Sequence, residues 1–332
     1  MIVPLVRRLQ DTLPHASITW VISSLAYQLV APMKGIDFVV IDKPKSIKDF
    51  WAFRQQMRSY QFDVCLAAQA ALRANLLYPL IRAKRIIGYD TKRAKDGHGW
   101  FIDEAIQPGK EHTLEGFLKF ADALGVPQTD VRWDIPISVE NEEWAKSHLP
   151  QGMPIICLNP AASKPERSWP VDRYISVIKY AKANLDCHIV LTGGPGHFDR
   201  QLADAILAEV EVFDLVGKTK PPQLMAVIKQ AKLMICPDTG PSHMAGAVGT
   251  PVIALQAVTS GKISGPYPYR HLAVDYYDEA VEKVLGKTVD TIPWGTQIHG
   301  LDTMSLIPAE AVINQLNQVW ESTIITGQKA LI

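Results

Sequence analysis

Short apolar runs alternate along this chain with longer stretches in which apolar residues recur at helical spacing. The runs have the length and composition of buried strands, and they fall at residues 18–22, 38–41, 63–69, 86–90, 155–158, 189–191, 233–236 and 252–255. The helical patterns fall at residues 2–13, 47–60, 72–81, 112–124, 140–149 and 308–320. Because strands that alternate with helices are joined by crossover connections, the pattern predicts an α/β protein with a parallel sheet in each half.

The stretch from Leu233 to Leu255, LMICPDTGPSHMAGAVGTPVIAL, carries the clearest candidate site. Two apolar runs flank a PDTG turn and a short helix, for which Thr239 supplies the N-cap and Gly249 the end. In an open parallel sheet the turn after a strand faces the ligand crevice, and the next helix directs free backbone N–H groups at an anion. We therefore interpret this turn as part of an active site rather than as an ordinary capped connection.

Two further strand ends have a similar organisation. The run at 155–158 is followed by a loop rich in Ser, Lys and Arg, and the run at 189–191 is followed by the turn TGGPG. Small, polar and cationic residues at three strand ends are typical of a cradle for a phosphate-bearing ligand. The residues by themselves thus predict a nucleotide-diphosphate ligand in the second half of the chain.

Five motifs taken together resemble a known family. NPAAS followed by RSWP, then VLTGG, then DLVGKT, then PDTGPSHMAGAVGTPVIAL, in this order, resemble the bacterial heptosyltransferases of glycosyltransferase family 9, which build the inner core of lipopolysaccharide. The resemblance covers nearly the whole chain and implies two Rossmann-like domains facing across a cleft, the GT-B arrangement. We expect an acceptor-binding domain with linker at 1–150 and a nucleotide-sugar-binding domain at 151–332, whose C-terminal helix crosses back onto the first.

The resemblance also implies a reaction. An inverting enzyme would move heptose from ADP-L-glycero-D-manno-heptose to the lipid A–Kdo or inner-core region, and negative charge would develop on the leaving phosphate. Arg167 stands where the family usually has Lys and could hold phosphate oxygens. Expected catalytic residues are Arg167, Asp238 and His243, with Asp238 suited to a sugar hydroxyl or to loop ordering. Expected donor-binding residues are Ser163, Lys164, Gly193, Gly194, Asp199, Thr239 and Gly240.

We expect transfer without a metal ion or another cofactor. The sequence contains no DxD pair and no His/Cys/Asp cluster with metal-ligand spacing. Backbone N–H groups at the start of the helix after Thr239 would bind the diphosphate instead. The four cysteines lie in or beside apolar runs without a C-x-x-C pair, so we expect buried, reduced thiols.

The net charge of zero conceals an asymmetry between the halves. Residues 1–110 hold 16 Lys and Arg against 9 Asp and Glu, whereas residues 111–332 hold 18 against 25. A basic first half suits an anionic lipopolysaccharide precursor, and Arg85, Lys92 and Arg93 are the candidate acceptor-binding residues. Nucleic acid is not expected as a partner, because the chain has no recognised binding motif. His112 is expected to cap the helix at 112–124 rather than to contact substrate.

The chain reads as a cytoplasmic protein that contacts the inner membrane peripherally. No segment approaches the roughly 18 consecutive apolar residues of a membrane span. The opening sequence MIVPLVRRLQ lacks the apolar core and cleavage site of a signal peptide.

The start of the chain departs from the family pattern. In the family a strand and a Gly-Asp turn precede the first helix, and the Asp of that turn is the proposed catalytic base. Here the helix at 2–13 has no strand before it, so we expect an N-terminal domain without its first strand, a segment missing upstream, and no counterpart of the base. Two alternatives stay open: an inactive paralogue that binds donor without transfer, and a UDP-sugar epimerase that acts without acceptor. A dehydrogenase is disfavoured, since no G-x-G-x-x-G follows a strand.

Overall fold

A computed structural model describes residues 1–300 and 302–325 of the protein. The chain divides into two compact units, Met1–Trp133 and Asp134–Ile332. The division lies before the expected boundary at residue 150, because the helix predicted at 140–149 packs on the second unit. Ala145 and Leu149 of that helix region are buried with Val227 and Met234. The segment expected to link the domains is therefore largely part of the second unit.

The first unit alternates helices and strands as the sequence predicts. Its elements are α1 (Val3–Thr12), β1 (Ile18–Ile22), α2 (Ser24–Val30), β2 (Ile36–Val40), α3 (Ile47–Gln56), β3 (Phe62–Ala67), α4 (Leu72–Asn75), β4 (Ala83–Gly88), β5 (Glu104–Ala105) and α5 (Thr113–Asp122). The strands form two parallel sheets in the described residues, one of β1 and β2 and one of β3, β4 and β5.

Two hydrophobic layers join these sheets. One contains Leu5 of α1 and Phe120 of α5, and it packs against Ile18 of one sheet and Val64 of the other. The opposite layer contains Phe53 and Met57 and likewise takes residues from both sheets. Phe50, Phe53 and Met57 lie on the inward face that the apolar spacing at 47–60 predicts, although α3 itself ends at Gln56 and a 3-10 turn continues to Ser59.

The prediction of a helix at residues 72–81 is wrong over most of that range. The structure has only the four-residue α4, followed by a separate 3-10 turn at Tyr78–Leu80. Pro79 explains the interruption, since proline lacks a backbone donor and disfavours helical geometry at the residue before it.

The second unit contains one larger sheet. Its elements are α6 (Val139–His148), β6 (Ile155–Leu158), α7 (Val171–Asn184), β7 (His188–Leu191), α8 (His197–Leu207), β8 (Phe213–Asp214), α9 (Pro221–Gln230), β9 (Leu233–Pro237), α10 (Gly240–Val248), β10 (Val252–Gln256), α11 (Gly261–Ser264), β11 (Val274–Asp275), α12 (Tyr277–Leu285) and α13 (Ala309–Ile325). The strand order is β11-β10-β9-β6-β7-β8, and every neighbouring pair is parallel.

The central strands of this sheet are buried on both faces, as their continuous apolar sequences predict. Every residue of β6, β9 and β10 is buried. The C-terminal helix α13 packs on α7 within the same unit, where Leu316 joins the core and Asn317 donates to the Tyr180 hydroxyl at 2.8 Å. Its crossing to the first domain stays a prediction. In the part of the chain that the structure describes, no helix is long and apolar enough to span a membrane.

Candidate functional site

The three polar strand ends of the second unit lie at one edge of its sheet. β6 is hydrogen-bonded to β9 on one side and to β7 on the other, all in parallel. Their carboxyl ends therefore point the same way and bring together the loop that contains Arg167, the turn at Gly193 and the turn at Asp238. This is the edge at which open α/β sheets bind ligands.

Asp238 is the centre of the hydrogen-bonded network at this edge. Its side chain is buried, and Oδ2 accepts hydrogen bonds from the Thr259 and Ser264 hydroxyls at 2.7 Å each. Arg167 Nη2 donates to the Asp238 backbone carbonyl at 2.6 Å and to Oδ2 at 3.2 Å. His243 Nε2 lies 3.6 Å from Oδ1. The carboxylate thus contacts residues that follow β6 and β10 and one residue of α10, in keeping with the loop-ordering role expected for it.

Arg167 keeps donors that the protein does not use. Both of its hydrogen bonds come from Nη2, and its Nε and Nη1 have no hydrogen-bond partner among the described residues. The Arg167 side chain is about four-fifths buried. A planar cation held at one nitrogen and open at the other two can offer a bidentate contact to phosphate oxygens.

The loop that carries Arg167 is closed by its own polar residues. Ser168 Oγ accepts the Ala162 N–H at 2.9 Å. The following Trp169 is fully buried, and its indole N–H donates to the Ile307 carbonyl at 3.0 Å. Ser163 and Lys164 lie between these anchors and are exposed. They are accessible to a ligand, and their predicted role in donor binding stays a prediction.

The first turn of α10 presents open backbone. The Ser242 hydroxyl donates to the Thr239 carbonyl at 2.7 Å, so the turn is fixed from within. Gly240 is exposed, and a Cβ placed there would have no protein atom within 4 Å. Pro241 has no N–H and the Ser242 N–H donates to the Thr239 carbonyl at 3.1 Å, so the Gly240 N–H is the backbone donor of this turn that faces space a diphosphate could occupy.

The glycine turn after β7 is held by Asp199. The Gly194 N–H donates to Asp199 Oδ1 at 2.7 Å. A Cβ at Gly193 would approach both Asp199 and Val216 to 3.2 Å, so close packing explains this glycine. Asp199 shapes the turn in this structure, and its expected contact with a ribose hydroxyl stays a prediction.

Thr259 and Ser264 were missed from the sequence. They follow β10, a fourth parallel strand whose polar end, TSGKIS, has the same small and hydroxyl residues as the other three. Asp275 fixes this turn, because its carboxylate accepts hydrogen bonds from the backbone N–H groups of Gly261 at 2.7 Å and Tyr277 at 2.9 Å. Burial raises the pKa of Asp275.

The candidate acceptor residues belong to the first unit, and two of them form ion pairs there. Arg85 makes a bidentate pair with Glu104 at 2.7 and 2.8 Å. Arg93 binds Asp90, Glu111 and the Gln107 carbonyl.

Lys92 is exposed and, unlike Arg85 and Arg93, forms no ion pair in the described part of the chain. The expected acceptor role therefore fits Lys92 better than the two arginines.

Other expectations concern His112, the cysteines and metals. His112 Nδ1 accepts the Leu114 N–H at 3.1 Å, which confirms that it caps α5. All four cysteines are free; Cys65 is half-buried and the others are buried. Burial raises the pKa of Cys157 to about 12, so this thiol stays protonated. Over residues 1–300 and 302–325, no three His, Cys, Asp or Glu side chains are grouped so that they could hold a metal.

Comparison with known proteins gives matches over most of the chain. Residues 50–288 match the sequence model of the family described as glycosyltransferase family 9 (heptosyltransferase). The chain is 30% identical over 317 residues to the lipopolysaccharide core heptosyltransferase OpsX of Haemophilus influenzae, covering 95% of this chain and 91% of that protein.

Solved structures have the same fold at lower identity. The family 9 glycosyl transferase of Veillonella parvula superposes with a TM-score of 0.77 at 21% identity, covering 97% of this chain and 93% of that one. Escherichia coli heptosyltransferase WaaC with ADP has a TM-score of 0.71 at 19% identity, covering 96% and 95%. Both support the expected α/β fold of GT-B type with two Rossmann-like units.

Proposed function

Because the chain belongs to glycosyltransferase family 9, the heptosyltransferase family, we propose that it transfers heptose from ADP-L-glycero-D-manno-heptose to the lipid A–Kdo or inner-core region of lipopolysaccharide. We propose further that the anomeric configuration is inverted and that no metal ion takes part. OpsX, which is similar along nearly its whole length, is named as a lipopolysaccharide core heptosyltransferase. WaaC is recorded with ADP, the part of the donor that would leave.

The observation that carries the proposal is the convergence of Arg167, Asp238 and the start of α10 at one sheet edge. Breaking the anomeric C–O bond leaves negative charge on the terminal phosphate of ADP. The unused Nε and Nη1 donors of Arg167, the Gly240 N–H and the positive end of the α10 dipole would meet that charge. In our proposal these donors do the work that a metal ion would otherwise do.

Asp238 would act by holding these donors in place. Its carboxylate fixes Arg167 directly, and its contacts with Thr259 and Ser264 fix the neighbouring loop. His243, whose Nε2 is 3.6 Å from the carboxylate, would be oriented toward a phosphate or sugar oxygen. A network of this kind lowers the barrier by orienting charge before the reaction starts.

The test is ADP release from ADP-heptose in the presence of a Kdo-bearing acceptor. Wild-type protein should release ADP only when acceptor is present, should remain active in EDTA, and should give a product of inverted anomeric configuration by NMR. Arg167→Ala should lose about 100-fold in kcat, and Arg167→Lys should recover part of that loss because it restores the charge.

Three outcomes would contradict the proposal. Turnover of donor without acceptor would favour an epimerase. Tight donor binding with no transfer would favour an inactive paralogue. Unchanged turnover of Arg167→Ala, with the variant folded as judged by its melting temperature, would remove Arg167 from the reaction.

A further inference from the structure

One exposed face of α3 has an unusual composition for a surface helix. Ile47, Trp51, Arg54 and Arg58 recur at spacings of four, three and four residues, so they lie on one stripe that continues into the 3-10 turn after the helix. Ile47 is 88% exposed and Trp51 64% exposed. The opposite side of the helix carries the buried core residue Phe53. The exposed stripe is therefore separate from the side of the helix that packs on the core.

A groove of about 570 Å³ runs beside this stripe. Trp51, Arg54 and Arg58 line one wall, and Leu80 and Arg82 line the other. Arg82 Nη1 donates to the Arg58 backbone carbonyl at 3.3 Å, so the two walls are tied together. The groove is thus built from two elements of the first unit and has an arginine on each side. We call Ile47, Trp51, Arg54, Arg58 and Arg82 the α3 face.

The three arginines of the α3 face carry uncompensated charge. None of them forms an ion pair in the described part of the chain. The carboxylate of Asp49, the acidic residue on α3, accepts the backbone N–H groups of Lys45 and Ser46 at 2.7 and 2.8 Å. Asp63, on the adjacent strand β3, is paired with Lys84 at 2.7 Å. The acidic groups of both elements are therefore occupied elsewhere.

We propose that the α3 face docks the protein on an anionic lipid bilayer. Arginine forks match phosphodiester oxygens, and an exposed tryptophan beside them suits the boundary between headgroups and acyl chains. Ile47 adds apolar area at the end of the stripe. Three arginines without an ion pair beside two exposed apolar side chains fit an anionic lipid surface, which attracts each Lys or Arg near it by about 1 kcal/mol.

The inference rests on the proposed function in one respect, because that function makes the acceptor a lipid. Docking itself needs neither donor nor acceptor. It can therefore be measured separately from transfer, with vesicles that contain no lipopolysaccharide.

The experiment is co-sedimentation of the full chain with phosphatidylcholine vesicles, with and without phosphatidylglycerol. Wild-type protein should bind the phosphatidylglycerol vesicles and be released by added salt. The triple variant Arg54→Gln, Arg58→Gln, Arg82→Gln should bind at least about tenfold more weakly. Trp51→Ser should weaken binding without changing its salt dependence, because no charge is lost.

A matched control is available in the second unit. Lys146, Lys283 and Lys287 are all exposed, and their replacement by Gln changes the net charge by the same three units. This control should bind vesicles as the wild type does. Equal losses in both triple variants would show a response to total charge and would overturn the assignment of the α3 face.

Two further outcomes bear on the proposal. Transfer to a deacylated, water-soluble acceptor should be unchanged in the arginine variant, whereas transfer to acceptor in vesicles should fall. Wild-type failure to bind phosphatidylglycerol vesicles, or equal binding to neutral ones, would overturn the docking surface. Docking without any transfer would instead overturn the proposed function and leave the α3 face standing.

Discussion

Arg167 in the second unit and Arg93 in the first differ in how much of the guanidinium the protein itself uses. Arg93 engages all three nitrogens, with Nε bound to Asp90, Nη1 to Glu111 and Nη2 to a backbone carbonyl. Arg167 engages Nη2 alone. An arginine whose donors are all satisfied within the fold has little left for a ligand. The comparison supports a structural role for Arg93 and is consistent with the ligand-binding role that we propose for Arg167.

The largest effect should follow the loss of the charge that holds Arg167. Asp238→Asn weakens charge-assisted hydrogen bonds from Arg167, Thr259 and Ser264, and such bonds contribute about 1.5–3 kcal/mol each. We expect kcat/KM for ADP-heptose transfer to fall about 100-fold. Steady-state kinetics with saturating acceptor would measure this.

A variant with a smaller expected effect and a control variant accompany Asp238→Asn. Thr259→Val removes one neutral donor to Asp238 and should cost about fivefold in kcat/KM. Asp214→Asn removes another partly buried carboxylate of the same sheet, one that pairs with Arg200 at 2.8 Å, and should lower the melting temperature with little kinetic effect. Wild-type kinetics in Asp238→Asn would show that Arg167 needs no fixed carboxylate.

Removal of Arg93 should damage the fold rather than the binding of acceptor. Arg93→Ala leaves the buried Asp90 without its cation and Glu111 with Lys119 alone, at a cost of about 2 kcal/mol or more. Its melting temperature should fall by several degrees. Lys92→Ala removes an exposed charge, so its melting temperature should stay unchanged while KM for the anionic acceptor rises about fivefold.

Thermal unfolding and acceptor titrations on the two variants would separate these roles. The reverse pattern, a stable Arg93→Ala with a raised acceptor KM, would show that the ion pairs of Arg93 open when acceptor binds.

A smaller effect should come from a single methyl group at the start of α10. Gly240→Ala adds a Cβ that meets no protein atom within 4 Å, so folding should be unaffected. If the diphosphate occupies that space, donor KM should rise about tenfold, equivalent to about 1.4 kcal/mol. Isothermal titration with ADP would measure the change directly.

Gly249→Ala is the contrasting variant at the other end of the same helix. Gly249 also has open space around it, but its backbone is left-handed with φ of 75°. Alanine there should cost about 1 kcal/mol of stability and leave ADP affinity unchanged. Equal ADP affinity in Gly240→Ala and the wild type would place the diphosphate elsewhere.

Much of the second-unit site could be predicted because its polar and charged residues come directly after strands in the sequence. Strands β6, β7 and β9 were recognisable as apolar runs, and parallel strands necessarily bring their carboxyl ends to one edge. The contact between Arg167 and Asp238 could not be predicted, since it depends on which strands are neighbours. Thr259 and Ser264 were missed for the same reason: nothing in a Thr or Ser hydroxyl indicates the carboxylate 21 or 26 residues earlier.

The first unit was harder to interpret because charge alone does not specify a partner. Arg85 and Arg93 belong to a basic stretch, and their partners Glu104 and Glu111 are too distant in sequence to pair with them by any local rule. The helix expected after residue 72 was wrong because Pro79 outweighed the apolar spacing. In the second unit the ends of fully buried strands fixed the geometry, whereas here the basic residues lie on the partly exposed strand β4 and in the loop after it.

The smallest expected effect concerns His98, which anchors the loop carrying Lys92 and Arg93. Its Nε2 accepts the Tyr89 N–H at 3.0 Å, and its Nδ1 lies 2.7 Å from the Asn75 side-chain oxygen. These partners require a neutral ring protonated at Nδ1, and burial lowers the pKa of His98 below its ordinary value of 6.5. The folded protein therefore resists a proton that the unfolded chain accepts.

The pH dependence of stability follows from that difference. Above pH 6.5 both states have a neutral ring, so the full stability is present. As the pH falls below 6.5, the unfolded state binds the proton first and the free energy of unfolding decreases, by at most about 1.4 kcal/mol per pH unit for one group. The decrease should stop below the folded pKa. Urea denaturation at several pH values, on the wild type and on His98→Gln, would isolate this contribution, since the two proteins differ at this residue alone. Parallel curves for the two would mean that the pKa of His98 is the same in the folded and unfolded states, and the loop of Lys92 would then be held by other contacts.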